Sequence, residues 1–335
     1  MDVGAAMARA VALGRAGLGS TSPNPSVGCV VLDVDGQPVG EGATQPPPGR
    51  HAEVVALTQA GTAALGGTVV VTLEPCAHTG RTGPCTEALR RSGIARVVFA
   101  EPDPDPLATG GAQALRDAGI IAQRSGAAAY LHPWLSATRL GRPYVTWKYA
   151  ATLDGRSAAP DGTSRWITGE AARAEAHQLR AEVDAIVAGS GTVLADDPQL
   201  TARSPDGMPL ARQPLRVVVD PSRRVPPTAR ALDAAGPSLL VHDRDPRTVL
   251  AHLHDRGARH VLLEGGPTLA GGWLEAGVVD EVRGYVAPAL LGAGATAVDL
   301  PSTKSIGDAL RLLLVDVHRV GDDVRITLRT DRGDS

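Results

Sequence analysis

Three residues far apart in the chain constrain its folding more than any other feature: His51, Cys76 and Cys85, with Glu53 two places after the histidine. They stand in Arg50-His51-Ala52-Glu53-Val54 and in Glu74-Pro75-Cys76-Ala77-His78-Thr79-Gly80-Arg81-Thr82-Gly83-Pro84-Cys85. One imidazole and two thiolates fill three corners of a tetrahedral Zn2+ and leave the fourth to water, which is the arrangement of a catalytic site. Such a site requires a fold that gathers two helix starts and one strand end at a single point. His51 follows Pro46-Pro47-Pro48-Gly49 and opens the helical run Val54-Val55-Ala56-Leu57. Cys76 follows the strand-like Thr68-Val69-Val70-Val71-Thr72-Leu73, and Cys85 precedes the helical Thr86-Glu87-Ala88-Leu89-Arg90-Arg91, whose positive N-terminal end favours a thiolate. Glu53 then serves as the carboxylate that is not a ligand and carries protons for a water made acidic by the metal. Two plainer readings compete: a pair of buried cysteines beside an unrelated histidine, and a closed structural site with His78 as fourth ligand.

A length of 335 residues suggests two domains, each with its own core. Only 3% of the residues are aromatic, so those cores must be built from Ala, Val and Leu. Net charge is −3 and the arginines are scattered, so no basic face announces nucleic acid. The N-terminal run starts with Asp2 and is interrupted by Arg9 and Arg15, which reads as a first helix rather than a signal peptide. No stretch is long enough to span a bilayer. Of three cysteines, two are needed as ligands, and Cys29 reads as a strand core residue. The expectation is a cytoplasmic protein acting on a small molecule, with no nucleic-acid or membrane partner. A homo-oligomer (dimer or tetramer) is also expected, although the residues themselves give no hold on oligomeric state.

Residues 1–126 alternate helical and apolar strand-like runs, with strands at Val27–Leu32, Val69–Leu73 and Ala95–Ala100, which implies a sheet covered on both faces. Residues 127–143, with His132-Pro133-Trp134 and Gly141-Arg142-Pro143, read as a surface linker. Residues 144–332 form a second α/β domain with a mixed sheet and late strands at Glu281–Val286 and Asp323–Leu328. Three strand ends in this half suit a dinucleotide. Gly189-Ser190-Gly191-Thr192 permits close backbone approach but lacks the third glycine of the dinucleotide fingerprint. Asp220-Pro221-Ser222-Arg223-Arg224 offers a hydroxyl and two guanidinium groups to a 2′-phosphate, though a solvated loop accounts for the arginines equally well. Glu264-Gly265-Gly266-Pro267-Thr268 opens a helix whose free N–H groups suit a pyrophosphate.

His-x-Glu followed by Pro-Cys and a second Cys is the signature of zinc deaminases, in which activated water displaces ammonia from an amino-bearing ring carbon. Here eight residues, Ala77 to Pro84, separate the cysteines where two are usual. With that insertion the sequence resembles the bifunctional riboflavin-biosynthesis deaminase-reductase family, through Glu74–Cys85 and Pro23-Asn24-Pro25-Ser26-Val27-Gly28. The second half carries the resemblance through Lys148–Arg156, Trp166-Ile167-Thr168, Thr192–Arg203 and Glu264–Leu269.

The resemblance implies a cytidine-deaminase-like three-layer α/β/α domain followed by an α/β domain similar to dihydrofolate reductase. It implies Zn2+ and NADPH as cofactors. NADPH contacts fall at Ala150, Trp166, Thr192, Asp196, Ser222, and Gly266, Pro267, Thr268, Leu269, Ala270, Gly271 and Gly272. Substrate contacts fall at Asn24 and His78 in the first domain and at Ser164, Arg180, Leu200, Arg203 and Glu264 in the second. The implied activity deaminates 2,5-diamino-6-(5-phosphoribosylamino)pyrimidin-4(3H)-one and then reduces its ribosyl group with NADPH; Lys148 and Glu264 are the candidate proton donors. Departures from the pattern are Ala43-Thr44, where an aromatic-His pair is common, Asp105 in place of Asn, and a region around Gly110-Gly111 one residue short. They leave open a reductase whose zinc domain is structural only. A nucleic-acid-binding deaminase is the other alternative, and the acidic balance argues against it.

Overall fold

The first helix, α1 (Val3–Ala16), starts where the Asp2 side chain accepts a hydrogen bond from the Ala5 amide at 2.7 Å, satisfying one of the free donors at a helix start. The computed structural model describes residues 1–78 and 83–331. Residues 79–82, inside the motif that ends at Cys85, and residues 332–335, which include the expected end of the second domain, lie outside the described residues. The chain divides into two compact units, Met1–Gly141 and Arg142–Ser335.

In the first unit β1 (Gly28–Leu32), β2 (Pro38–Ala43), β3 (Thr68–Leu73), β4 (Arg96–Glu101) and β5 (Ile121–Arg124) form one sheet in the order β2-β1-β3-β4-β5. β1 runs antiparallel to both neighbours, whereas β3, β4 and β5 are parallel. Crossover helices α3 (Cys85–Arg91) and α4 (Gly111–Asp117) join the parallel strands, and α2 (Ala52–Ala60) precedes β3. Two glycines fix the layering. A Cβ on Gly28 would stand 1.9 Å from the Ala10 carbonyl of α1, and one on Gly42 would stand 2.3 Å from the Ala52 carbonyl of α2. Cys29 pairs with Gly42 and Gly28 with Ala43, so these two glycines point to opposite faces. Helices therefore cover both sides, as expected for a three-layer unit.

Arg142 and Pro143 apart, the stretch read as a linker belongs to this first unit. It forms a 3₁₀ turn, Ala129–Leu131, and α5 (His132–Leu140), and it buries Ala128, Leu131 and Leu135 in the core. That three- and four-residue spacing makes one apolar helix face. Two aromatic side chains add polar ties: Tyr130 donates to the Ser26 carbonyl at 2.8 Å and the Trp134 indole N–H to the Pro23 carbonyl at 3.0 Å.

The second unit comprises β6 (Tyr144–Thr152), β7 (Arg156–Ala158), α6 (Glu170–Glu182), β8 (Ala185–Gly189), α7 (Ser190–Asp196), β9 (Leu215–Val219), β10 (Ser238–Val241) and α8 (Pro246–Asp255). It continues with β11 (His260–Leu263), α9 (Pro267–Glu275), β12 (Glu281–Ala287), β13 (Ala295–Thr296), β14 (Leu312–Val320) and β15 (Asp323–Thr330). Eight strands follow the order β10-β9-β8-β11-β6-β12-β15-β14, and only the last two steps are antiparallel. Alternation along the strands splits the core. Val187, Val217, Val219, Val261 and Leu263 face α8 and α9, whereas Ile186, Ala188, Val218 and Leu262 face α6 and α7. Strand β14 was not anticipated; β12 and β15 were. Because β11 inserts between β6 and β8, the parallel strands leave a crevice at their carboxyl ends, where such sheets bind ligands.

Candidate active sites

The first site lies at the N-terminal ends of α2 and α3. His51 is the residue that caps α2, in extended conformation, so its ring is free of the helix and available to a ligand. Glu53 sits in the first turn of α2 and is 4% exposed. Cys85 begins α3 and is fully buried, and its backbone N–H donates to the Cys76 sulfur at 3.4 Å. His51 Nδ1 lies 3.2 Å from Cys85 Sγ and 3.7 Å from Cys76 Sγ, and all three donor atoms fall within 4.8 Å of one another. Tetrahedral zinc with ordinary Zn–S and Zn–N bonds places such atoms roughly 3.5–3.8 Å apart, so the set fits that ion.

The charges agree. Hydrogen bonds from Cys85 and His51 lower the Cys76 thiol well below its usual range, while Cys85, which donates one of those bonds and is buried, is held well above the ordinary thiol range. Binding of a divalent cation favours both as thiolates. Burial, reinforced by the Cys76 charge, raises the Glu53 carboxyl above its usual range, which suits a group that must both take and return a proton. Asn24 stands half-buried in a turn closed by its own amide on the Thr21 carbonyl at 2.9 Å. His78 is half-buried, and its Nδ1 is enclosed without a partner among the described residues. Sequence reasoning passed over Asp103. It is 8% exposed, and burial raises it to about 6, with Cys76 and Glu74 among the charges it feels. The Pro-rich break after β4 was the available signal.

The second site is a cavity of about 1130 Å3 in the second unit. Among the expected residues, Ala150, Ser164, Trp166, Thr192, Asp196, Arg180, Leu200, Arg203 and Glu264 line it. Drug-sized ligands occupy roughly 300–1,000 Å3, so there is room for the reacting ends of two molecules. Arg180 grips Glu264 through two bonds of 2.6 and 2.8 Å. Burial pushes Glu264 up, but the charges of Arg180 and Lys148 outweigh it and hold the carboxyl at about 2. Lys148, half-buried in the cavity wall, is lowered from the usual lysine range by burial. Trp166 lies 70% exposed at the cavity rim with the Arg173 guanidinium 4.6 Å from its ring.

Ser222 and Gly266 to Gly272 do not line this cavity among the described residues. Ser222 is exposed in the turn after β9. Gly266 caps α9 and its amide donates to Thr192 Oγ1 at 3.1 Å, which ties two of the expected strand ends together. Pro267 and Thr268 form the first turn of α9, and Gly272 leaves open space where a Cβ would stand. Leu269 packs on Gly189 and Gly265, Ala270 is wholly buried in the core, and a Cβ on Gly271 would stand 1.7 Å from the Asp299 carbonyl. Their side chains therefore serve packing. His177, Gln199 and Thr201 also line the cavity and were not among the expected contacts; Gln199 and Thr201 lie inside the Thr192–Arg203 motif, whereas nothing in the sequence of α6 marked His177.

Fold and sites together define a fusion of a cytidine-deaminase-type zinc unit with a reductase-type α/β unit. Residues 3–101 match the cytidine and deoxycytidylate deaminase zinc-binding region, and residues 143–326 match the RibD C-terminal domain. The chain belongs to the RibD family. It is 50% identical to the riboflavin biosynthesis protein RibD of Mycobacterium tuberculosis over 92% of each chain, and 40% identical to that of Escherichia coli over 96% of this chain and 98% of the other. Among solved structures it is similar to Acinetobacter baumannii RibD, with 41% identity, a TM-score of 0.87 and coverage of 97% and 98%. It is also similar to a Thermotoga maritima diaminohydroxyphosphoribosylaminopyrimidine deaminase/5-amino-6-(5-phosphoribosylamino)uracil reductase, with 30% identity, a TM-score of 0.86 and the same coverage. These relatives span both units, so a reductase with a merely structural zinc domain is not favoured.

Proposed function

We propose that this chain deaminates 2,5-diamino-6-(5-phosphoribosylamino)pyrimidin-4(3H)-one in its first unit and reduces the product with NADPH in its second, giving 5-amino-6-(5-phosphoribitylamino)uracil. The observation that carries the reading is the His51–Cys76–Cys85 donor set beside buried Glu53, in a chain that also holds the Arg- and Lys-lined cavity. His51, Cys76 and Cys85 would hold zinc, which supplies a Lewis acid that makes water nucleophilic near neutral pH. Glu53 takes a proton from the attacking water and gives one to the departing nitrogen. Oxygen stays on the ring as a carbonyl, and the 2-amino group leaves as ammonia. Asn24 and His78 would bind the substrate; the enclosed Nδ1 of His78 supports this, because a buried polar atom requires a partner.

NADPH, when bound, would supply the hydride that reduces C1′ of the opened, imine form of the ribosylamine. Ala150, Trp166, Thr192, Asp196, Ser222 and Gly266 to Gly272 would form its site, the α9 start serving through backbone N–H groups. Ser164, Arg180, Leu200, Arg203 and Glu264 would hold the phosphoribosyl part. Arg180 spends its charge on Glu264, whereas among the described residues Arg203 is bonded only to uncharged oxygens, so Arg203 suits the phosphate. Of the two candidate proton donors, Glu264 is held ionised beside Arg180 and has no proton to give, which favours Lys148.

Incubation of the purified protein with the diaminopyrimidine phosphoriboside, with and without NADPH, tests the reading by product mass. Ammonia without NADPH and the ribityl product with it are expected. Glu53→Ala should stop ammonia release and leave NADPH oxidation on the deaminated substrate; survival of both would remove the assignment of Glu53.

A homo-oligomer is the proposed assembly. Strand β14 ends the sheet with Leu313, Leu314, Val315 and Val317 each at least 45% exposed, an apolar edge that monomers ordinarily avoid. Sedimentation at several concentrations tests this. The placement proposed is cytoplasmic, supported by three cysteines that form no disulfide among the described residues. No helix among the described residues is long and apolar enough to cross a membrane.

A further inference from the structure

Arg216 of β9 is an arginine with a side chain wholly removed from solvent, in the middle of an otherwise apolar strand. A buried guanidinium is costly unless its charge is met and its donors are used, and here both terminal nitrogens are used while Nε finds no partner among the described residues. Here it donates to Asp233 Oδ1 at 2.7 Å, to the Asp233 and Gly236 carbonyls at 2.5 Å each, and to the Arg230 and Gln199 carbonyls at 3.2 and 3.3 Å. It thus fastens two separate loops, 197–203 and 230–236, from beneath. The first of these carries Leu200, Thr201 and Arg203 into the cavity.

The connection continues by hydrogen bonds of defined polarity. Burial pushes Asp233 up, but its bonds from Arg216 and Gln199 hold it at about 2, so it is a carboxylate and only accepts. Its Oδ2 takes the Gln199 amide Nε2 at 2.6 Å, which leaves Gln199 Oε1 to accept from Arg203 Nη2 at 2.6 Å. Arg203 is held further by the Thr201 hydroxyl at 3.2 Å and the Gly207 carbonyl at 2.8 Å. Among the described residues no carboxylate pairs with it. Leu200, between Gln199 and Thr201, has φ 55° and is 3% exposed. A bulky residue in that region is strained and persists only where its neighbours over-determine it. Gln199, bonded through both its carbonyl and its amide, supplies that hold.

We infer that Arg216, Asp233 and Gln199 form a positioning chain that aims the Arg203 guanidinium into the reductase cavity with its charge unspent, and so sets affinity for the phosphate end of the substrate. Holding Arg203 with uncharged oxygens is the essential part, because a carboxylate in the place of Gln199 would fix the same geometry and neutralise the charge. The inference rests on the reductase reading above. None of the three residues touches the reacting atoms.

Asp233→Asn is the sharpest test. It keeps the shape, but its amide N–H group meets the Gln199 amide N–H group, and turning either amide sets donor against donor elsewhere in the chain. Steady-state NADPH oxidation is measured with the deaminated substrate for wild type, Asp233→Asn and Gln199→Met. The KM for the phosphoribosyl substrate should rise about tenfold, as for loss of a hydrogen bond to a charged group, while kcat falls less than about threefold and the KM for NADPH stays put. Gln199→Met leaves Arg216 and its ion pair intact, so it decides the matter if Asp233→Asn fails to fold. An unshifted substrate KM in Gln199→Met overturns the inference, as does an equal rise in both KM values. No turnover by wild type would instead remove the reductase reading, and the positioning chain with it.

Discussion

Replacing Glu264 by Gln should destabilise the second unit by about 3 kcal/mol at pH 7. The side chains of Glu264 and Arg180 are only 10% and 17% exposed, so solvent screens their interaction little. The folded unit holds the carboxyl at about 2 against an ordinary 4.5. Each pH unit of such a displacement is worth about 1.4 kcal/mol, which yields about 3 kcal/mol for the pair as it stands. Removing one partner of a buried pair costs a similar 3–5 kcal/mol or so, because the other charge is left alone. The direction with pH follows from the lowered value. A carboxyl that binds its proton less readily when folded contributes fully above about 4.5, and the contribution drains away as pH falls towards about 2. Urea unfolding followed by tryptophan fluorescence is the assay, since Trp147, Trp166 and Trp273 lie in this unit. Wild type should lead Glu264→Gln by about 3 kcal/mol at pH 7 and converge on it only as pH falls to about 2. Glu264→Leu combined with Arg180→Met should recover much of the loss. Equal stability of wild type and Glu264→Gln at pH 7 would refute the reasoning.

Cys76→Ser, or removal of metal by a chelator, should abolish ammonia release and lower the melting temperature of the first unit while NADPH oxidation on deaminated substrate continues; full ammonia release from metal-free protein would contradict the ligand assignment. Gly28→Ala forces a Cβ to within 1.9 Å of the Ala10 carbonyl, so a loss of about 1–3 kcal/mol or failure to fold is expected by thermal melting. A chain cut after residue 126 should melt well below one cut after residue 141, because the shorter piece lacks Leu131, Leu135 and the Tyr130 and Trp134 hydrogen bonds; equal melting would place the helix outside the unit.

Legibility in the sequence followed the range of the interaction. His51, Cys76 and Cys85 were readable because metal ligands demand particular side chains, and each sits at a local strand or helix boundary that its neighbours announce. Helix α5 was legible in principle from Ala128, Leu131 and Leu135, but the Pro and Gly around it read as a linker. Strands β2 and β5 were missed for a different reason. Pro38–Ala43 contains two glycines, and Ile121–Arg124 has one buried residue in four, so neither shows strand alternation. Asp103 and Gln199 became site residues only because distant segments were folded against them.

Residue types and short spacings by themselves pointed to a donor set that could hold zinc, the carboxylate beside it, two α/β units and the strand ends proposed for a dinucleotide. These follow from local rules, in which a side chain's chemistry or a period of two or of three to four residues carries the information. Only the tertiary structure decided how charge is spent. Arg180, Arg203 and Arg216 look alike in the sequence, yet one is neutralised by Glu264, one is held by uncharged oxygens at the cavity, and one is buried beneath two loops. A guanidinium's role depends on which acceptors surround it and how far water is excluded, and both arise from contacts between residues far apart along the chain.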